Sequence, residues 1–384
     1  MKSDIISKRA KSVPPSGIRK FFEMVIGMPD VISLGVGEPD FVTPWHIREA
    51  CIYSLEKGYT MYTSNYGLLE LREEISKNLK KDYQVEYNAK KEILITTGVS
   101  EAFDLALRAV INHGDEVIIP EPCYVSYVPC TIFAGGKPVL VKTKVTDKFK
   151  VTSEEIENKI TKKSKALILS YPNNPTGAVM KRKELEEIAD VVNEHDLIVV
   201  SDEIYDKLTY NGSHCCFSSL NGMKDKTIIL NGFSKAYAMT GWRIGYAAAD
   251  SNIINAMMTV HQYTMLCAPI TGQMAAIEAL KNGEEEMKRM IREYDRRRRI
   301  IVKGLNQIGL ECFTPKGAFY AFPSIKSSGV SSEEFAKNLL SEQSVAVVPG
   351  TAFGSSGEGF VRCAYAASID NINEALSRME KFLS

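Results

Sequence analysis

The sequence has no net charge, no long apolar run, no paired cysteines and no histidine spacing suited to a metal. Its 47 Lys and Arg balance 47 Asp and Glu, so there is no global field to recruit nucleic acid or an anionic membrane. No apolar stretch approaches the roughly 18 residues of a membrane span. Met1 to Lys11 is polar, without the apolar centre of a secretory signal. Eight cysteines lie without CxxC spacing in a chain of 384 residues, the pattern of reduced thiols. The adjacent Cys215 and Cys216 suit neither a disulfide nor a metal. Five scattered histidines lack HExxH or similar spacing, so no metal site is expected. Repeats and low-complexity tracts are absent. What these absences leave is a cytoplasmic globular enzyme.

What is present is an alternation of short apolar runs and helical patterns. Ile93–Thr96, Glu116–Ile119, Ala166–Ser170, Leu197–Val200, Thr227–Leu230 and Ile244–Ala248 read as buried strands separated by helices. Such continuous apolar runs predict an α/β fold with a mostly parallel sheet covered on both faces, hence three layers. Helical spacing is also read over Ile18–Ile26, Pro44–Leu55, Leu68–Leu79 and Glu101–Ile111. Asn282 to Gln307 contains a long amphipathic helix that could bridge to a smaller α+β domain. In that domain Gly317–Tyr320, Ala346–Pro349 and Phe360–Tyr365 look like short strands. The expected division is a large domain over 44–283, with 1–43 and 284–384 forming an N-terminal arm and small domain. The basic run Arg296–Arg299 falls in the long helix and reads as a solvated face with snorkelling stems.

Chemistry-bearing residues follow the strand ends, where open α/β sheets place ligands. After Thr227–Leu230 comes Gly232-Phe-Ser-Lys-Ala-Tyr-Ala-Met-Thr-Gly-Trp-Arg-Ile-Gly245. Lys235 at the mouth of an apolar strand is poorly solvated. Its ammonium form is therefore disfavoured, the condition for a Schiff-base lysine. Arg243 offers a fork for a phosphate. Together they suit an aldehyde with a phosphate tail, pyridoxal 5′-phosphate (PLP). A solvated loop lysine and a surface arginine are the plainer alternative. Gly98-Val99-Ser100 opens a helix whose N–H groups can cradle the phosphate. Tyr124 has a face to stack on a pyridine ring. Asp202 ends a buried strand and could pair with a pyridinium N–H, keeping the ring protonated. Arg362 is a lone charge among apolar neighbours and needs an anion, either a substrate carboxylate or an internal Glu. Gly35-Val36-Gly37-Glu38-Pro39-Asp40 is a glycine turn that lets backbone approach a ligand, or simply a turn.

The Gly232–Gly245 stretch resembles the lysine signature of class I, fold type I, PLP-dependent aminotransferases, and further motifs extend the resemblance from about Gly35 to Arg362. The resemblance implies that Lys235 carries PLP and moves the substrate proton. Asp202 and Tyr205 complete the catalytic set. Gly98, Val99, Ser100, Tyr124, Asn174, Ser234 and Arg243 also hold the cofactor, and Tyr62 reaches the phosphate of a neighbouring subunit. Gly37, Asn174 and Arg362 hold the substrate α-carboxylate. The implied activity is ping-pong transamination between an L-amino acid and a 2-oxo acid such as 2-oxoglutarate, in a homodimer with shared sites.

Ser16-Gly17-Ile18-Arg19-Lys20 and Met239–Arg243 look like the aromatic, aspartate and acetyl-diaminopimelate branch. Some aspartate-specific relatives carry lysine at the position of Ser100. Its absence here, with the apolar wall of the Ile18, Tyr62 and Tyr124 loops, favours aromatic substrates. Aspartate or N-acetyl-diaminopimelate aminotransferase, a PLP-dependent carbon–sulfur lyase and an aminocyclopropane-carboxylate synthase stay open. The non-enzyme alternative is an aminotransferase-like sensor domain of a transcription regulator. It would need a winged helix before Gly35, where fewer than about 35 residues precede the motif.

Overall fold

The structure, a computed structural model, describes residues 5–19, 28 and 30–384. Residues 20–26 of the predicted Ile18–Ile26 helix, and the first four residues, lie outside that range. A two-residue strand β1 (Ile32–Ser33) leads into the main body. There β2 (Ile93–Thr96), β3 (Glu116–Glu121), β4 (Lys137–Lys142), β5 (Ser164–Ser170), β6 (Ile198–Asp202), β7 (Thr227–Gly232) and β8 (Gly245–Ala248) form one sheet. Its order is β2-β8-β7-β6-β5-β3-β4. β8 runs antiparallel to both β2 and β7, and the other pairings are parallel.

The strands form where apolar side chains face helices on both sides. Ile118, Leu167, Val199, Val200, Ile228 and Leu230 are essentially inaccessible. Each fully buried Val, Leu or Ile of this kind contributes roughly 1.5–3 kcal/mol. β4 escapes the sequence pattern because it is an edge strand: in Lys-Pro-Val-Leu-Val-Lys only Val141 is buried. Its lysines and Pro138 suit a position where one side pairs with nothing. The other edge, β2, is partly covered, since the Ile95 N–H donates to the Tyr66 carbonyl (3.0 Å).

The C-terminal part holds β9 (Tyr320–Ala321), β10 (Val345–Ala346), β11 (Val348–Pro349) and β12 (Val361–Ala364). The strands β11-β12-β9 make an antiparallel sheet, while β10 pairs in parallel with β1, Ile32 opposite Val345. The N-terminal segment is thereby tied to the C-terminal one. The predicted run Ala346–Pro349 is thus two strands in two sheets.

The long helix spans Glu284–Gln307, and its basic run corrects one expectation. Arg296 and Arg299 are exposed, but Arg297 and Arg298 are buried. Arg297 donates to both oxygens of Asp40 (2.7 and 2.8 Å) and to Glu293 (3.1 Å). Arg298 donates to Asp295 and to the Pro315 carbonyl (2.8 Å). Helical periodicity turns two of four consecutive residues inward, and carboxylates on the helix and in the Asp40 turn neutralise them. All eight cysteines are free thiols, as their spacing suggests. Among the described residues no helix is long and apolar enough to cross a membrane.

Candidate active site

A cavity of about 600 Å³ opens at the C-terminal ends of β3, β5, β6 and β7, a volume ordinary for a small-molecule site. Residues from five strand ends meet there, as the sequence predicts: Val99 and Ser100 after β2, Tyr124 after β3, Asn174 after β5, Asp202 and Tyr205 at β6, Ser234 and Lys235 after β7. Gly37, Arg243 and Arg362 close it from other segments. Two predicted residues do not line it. Gly98 packs against the Arg243 guanidinium at its edge, and Tyr62 is 82 % exposed, away from the cavity of its own chain.

Lys235 Nζ donates to the Gly37 carbonyl (2.6 Å) and lies 5.9 and 5.7 Å from the ring centroids of Tyr205 and Phe319. Burial, helped by the positive charges of Arg362 and Arg243, lowers its pKa to about 8. The free amine needed for attack on a carbonyl is therefore accessible near neutral pH. Gly37 must be glycine, because a Cβ there would sit 2.5 Å from the Tyr320 hydroxyl.

Asp202 is 6 % exposed. Tyr127 Oη donates to its Oδ2 (2.7 Å), and the Ile204 N–H donates to Oδ1 (3.2 Å). Burial raises the carboxyl pKa to about 6 against those donors. A buried carboxylate so poised gains by meeting a cationic N–H, the bond a pyridinium nitrogen would provide.

Arg243 sits at φ +57°, a left-handed conformation costly for arginine, where the backbone turns into β8. Its Nη1 donates to the Thr240 carbonyl (2.9 Å). The guanidinium lies over Gly98, at φ +76°, where a Cβ would be 2.5 Å from Nη2. Gly98 opens the helix Gly98–Val110. A guanidinium thus faces a helix N-terminus across a gap that only glycine leaves, the arrangement an anionic phosphate fills.

Arg362, on β12, is 2 % exposed. It donates to Asn174 Oδ1 (2.9 Å) and the Gly35 carbonyl (2.6 Å), and its guanidinium lies 4.5 Å from the Tyr320 ring centroid and 4.8 Å from that of Phe353. Among the described residues no carboxylate pairs with it, and its Nε is buried without a partner. The internal-Glu alternative fails, and the orphaned charge points to an external carboxylate.

Two residues escape the sequence reading. Tyr127 holds Asp202, and Tyr320 Oη shares a 2.6 Å hydrogen bond with Tyr205 Oη. The only sequence signal for Tyr127 is a second aromatic three residues after Tyr124. Tyr320 carries none beyond its place in a short apolar run. The donors, the glycine-lined cradle beneath Arg243 and the lysine fit PLP, and Arg362 fits the carboxylate of a substrate.

A mostly parallel sheet with a buried lysine at one strand end and a phosphate cradle at another defines a PLP-dependent enzyme. The chain belongs to the family described as aminotransferase class I and II, whose model matches residues 29–379. It is 49 % identical to an aspartate aminotransferase of Pyrococcus abyssi, with 98 % of each chain covered. It is 45 % identical to aromatic-amino-acid aminotransferase 2 of Thermococcus litoralis, also with 98 % of each covered. Among solved structures it is similar to the aromatic aminotransferase of Pyrococcus horikoshii OT3. There the TM-score is 0.91 at 48 % identity, with 95 % of this chain and 98 % of that one covered. The protein is an aminotransferase that exchanges an amino group between an amino acid and a 2-oxo acid.

Proposed function

We propose that the preferred donors are aromatic amino acids, with 2-oxoglutarate as acceptor. The observation that carries this reading is the composition of the cavity wall. Ile18, Val36, Tyr124 and Val125 line it, and position 100 is serine, so no lysine stands there for a second carboxylate. Aspartate is the second reading, favoured by Arg19, whose side chain lines the same cavity. The test is a half-reaction screen that mixes the PLP form with each amino acid and follows loss of visible absorbance. Fast loss with phenylalanine and tyrosine supports the proposal. A hundredfold preference for aspartate would overturn it and leave transamination untouched.

When bound, PLP supplies an aldehyde for the amino group and a ring that draws electrons from the substrate α-carbon. The chain's own residues do the rest. Arg362 grips the α-carboxylate as a fork, and Asn174, its Oδ1 engaged by Arg362, presents its amide hydrogens beside it. Lys235 Nζ, shifted toward the free amine, removes the α-proton. Asp202, kept in place by Tyr127, would hold the proton on the ring nitrogen. The Tyr205 hydroxyl, oriented by Tyr320, would donate to the ring's phenolic oxygen. Arg243, Ser234 and the Gly98–Ser100 N–H groups would hold the phosphate.

The enzyme is further proposed to be a cytoplasmic homodimer. Trp45, Tyr53, Met61, Tyr62 and Tyr263 are exposed apolar side chains, Tyr263 at 84 %. Asn65 donates to the Leu266 carbonyl (2.8 Å), which brings the Tyr62 loop beside the Tyr263 segment. Exposed aromatic side chains on these adjoining segments favour an interface, and in such a dimer Tyr62 would serve the neighbour's phosphate. The domain division at 44–283 draws support from the β1–β10 pairing. Mixing Lys235→Ala with a Tyr62→Ala variant should raise activity above that of either alone, because one site of the hybrid dimer then holds both native residues. A fully active monomer would refute the shared site.

A further inference from the structure

Behind Asp202 lies a second buried charge system that the reaction does not use directly. Successive side chains of a strand alternate between faces. Asp202 faces the cavity, whereas Ser201 and Glu203 face the other way. Ser201 Oγ and the Phe217 N–H both donate to Glu203 Oε1 (3.0 Å each), and His214 Nε2 lies 2.8 Å from Glu203 Oε2. The two side chains are 7 % and 1 % exposed. The Glu203 N–H donates to the Leu230 carbonyl (2.8 Å), so this residue extends the β6–β7 pairing by one step.

A buried ion pair stabilises little that apolar side chains could not supply. Its placement therefore suggests a use for the charge itself, one peptide unit from Asp202. His214 also lines a crevice of about 730 Å³ with Lys150, Arg182 and Thr314. Its proton can thus exchange with solvent without crossing the active site. Further titratable groups surround the pair. The Tyr83 ring meets His214 edge-on (5.6 Å), and its hydroxyl donates to Asp206 Oδ2 (2.5 Å). Lys207 bridges Asp82 and Asp206. Cys215, Cys216, Tyr87 and Tyr246 complete the surround.

We propose that the Glu203–His214 pair is a positioning device for Asp202: His214 holds Glu203, Glu203 fixes the end of β6, and the charge of the pair sets how tightly Asp202 keeps a proton. The electrostatics agree in direction. Burial is the main force raising Asp202, and the Glu203 charge adds to it. Burial opposes both members of the pair, yet the Glu203 charge raises His214, and the His214 charge with its hydrogen bond lowers Glu203. A protonated His214 makes the pair neutral and spares Asp202 an adjacent anion. The catalytic consequence rests on the reading of Asp202 as partner of the ring nitrogen; the coupling does not.

The coupling is measured in the full-length chain freed of cofactor, by carbon NMR of labelled aspartate across pH. His214→Gln leaves Glu203 without a cation and should raise the Asp202 midpoint by about one pH unit. Glu203→Gln/His214→Gln removes both charges and should bring it back. In the PLP-loaded enzyme the single variant should lose about tenfold in kcat with KM little changed, and the double should recover. An unmoved midpoint in His214→Gln, or a double no better than the single, overturns the proposal even if activity falls. If the single variant does not fold, the wild-type chain decides: the Asp202 signal must show a second step where His214 titrates, and its absence is equally fatal. Coupling observed in a chain that takes up no PLP would overturn the cofactor role of Asp202 alone.

Discussion

Tyr127→Phe isolates one oxygen at the centre of the site. The ring packs 4.8 Å from Phe103 and 5.7 Å from Tyr124 between centroids, and phenylalanine keeps both contacts. Only the hydroxyl that donates to Asp202 Oδ2 (2.7 Å) is lost. A hydrogen bond to a buried charged group is worth roughly 1.5–3 kcal/mol. Retention of PLP should therefore fall by about ten- to a hundredfold, with kcat falling alongside, because the carboxylate that holds the ring nitrogen's proton becomes harder to ionise.

The same change has a signature in the cofactor-free chain. The Asp202 carboxyl is lifted from 3.8 to about 6, so the folded state holds this proton more tightly than the unfolded chain. The resulting stability is fully present below about pH 4 and lost as pH rises through 6, about 3 kcal/mol in all. Without the Tyr127 donor the folded value climbs further, and the loss should continue above pH 6. Denaturant titrations from pH 4 to 8, beside PLP titrations followed in the visible, measure both effects. Unchanged PLP affinity with an unchanged pH profile would show that Tyr127 does not support the Asp202 charge.

The sequence made the sheet legible because its inner strands are buried on both faces and so carry unbroken apolar runs. β4 was lost for the opposite reason, since an edge strand of lysines and proline looks like a loop. Lys235, Asp202 and Arg362 were visible as charges beside apolar runs, a placement that makes each expensive without a partner. Tyr127 and Tyr320 were not visible, because their role lies in where a hydroxyl points, and an aromatic in an apolar run reads as core. The inward turn of Arg297 and Arg298 was hidden too, since Asp40 lies 257 positions away in the chain.

Three further predictions concern the cofactor and substrate. Gly98→Ala should cut PLP and inorganic phosphate affinity together, since the new Cβ would stand 2.5 Å from the Arg243 guanidinium; normal phosphate affinity would remove the cradle from Gly98. Lys235→Ala should still take up PLP noncovalently yet show almost no turnover, and borohydride should fix label on Lys235 in the wild type; label elsewhere sinks the assignment. Arg362→Ala should weaken every amino-acid and oxo-acid substrate by a similar factor, because the α-carboxylate is the one group they share. The Arg362 guanidinium is clamped by Tyr320 and Phe353 and by its bonds to Asn174 and Gly35, so little ordering cost remains when substrate arrives. A lost charge-assisted contact of roughly 1.5–3 kcal/mol is about ten- to a hundredfold in kcat/KM. Arg362→Lys should recover little, since a point charge cannot replace a fork stacked between two rings. Steady-state kinetics with phenylalanine, aspartate and alanine test this: a loss confined to one of them would place Arg362 on a side chain and leave the α-carboxylate to other groups.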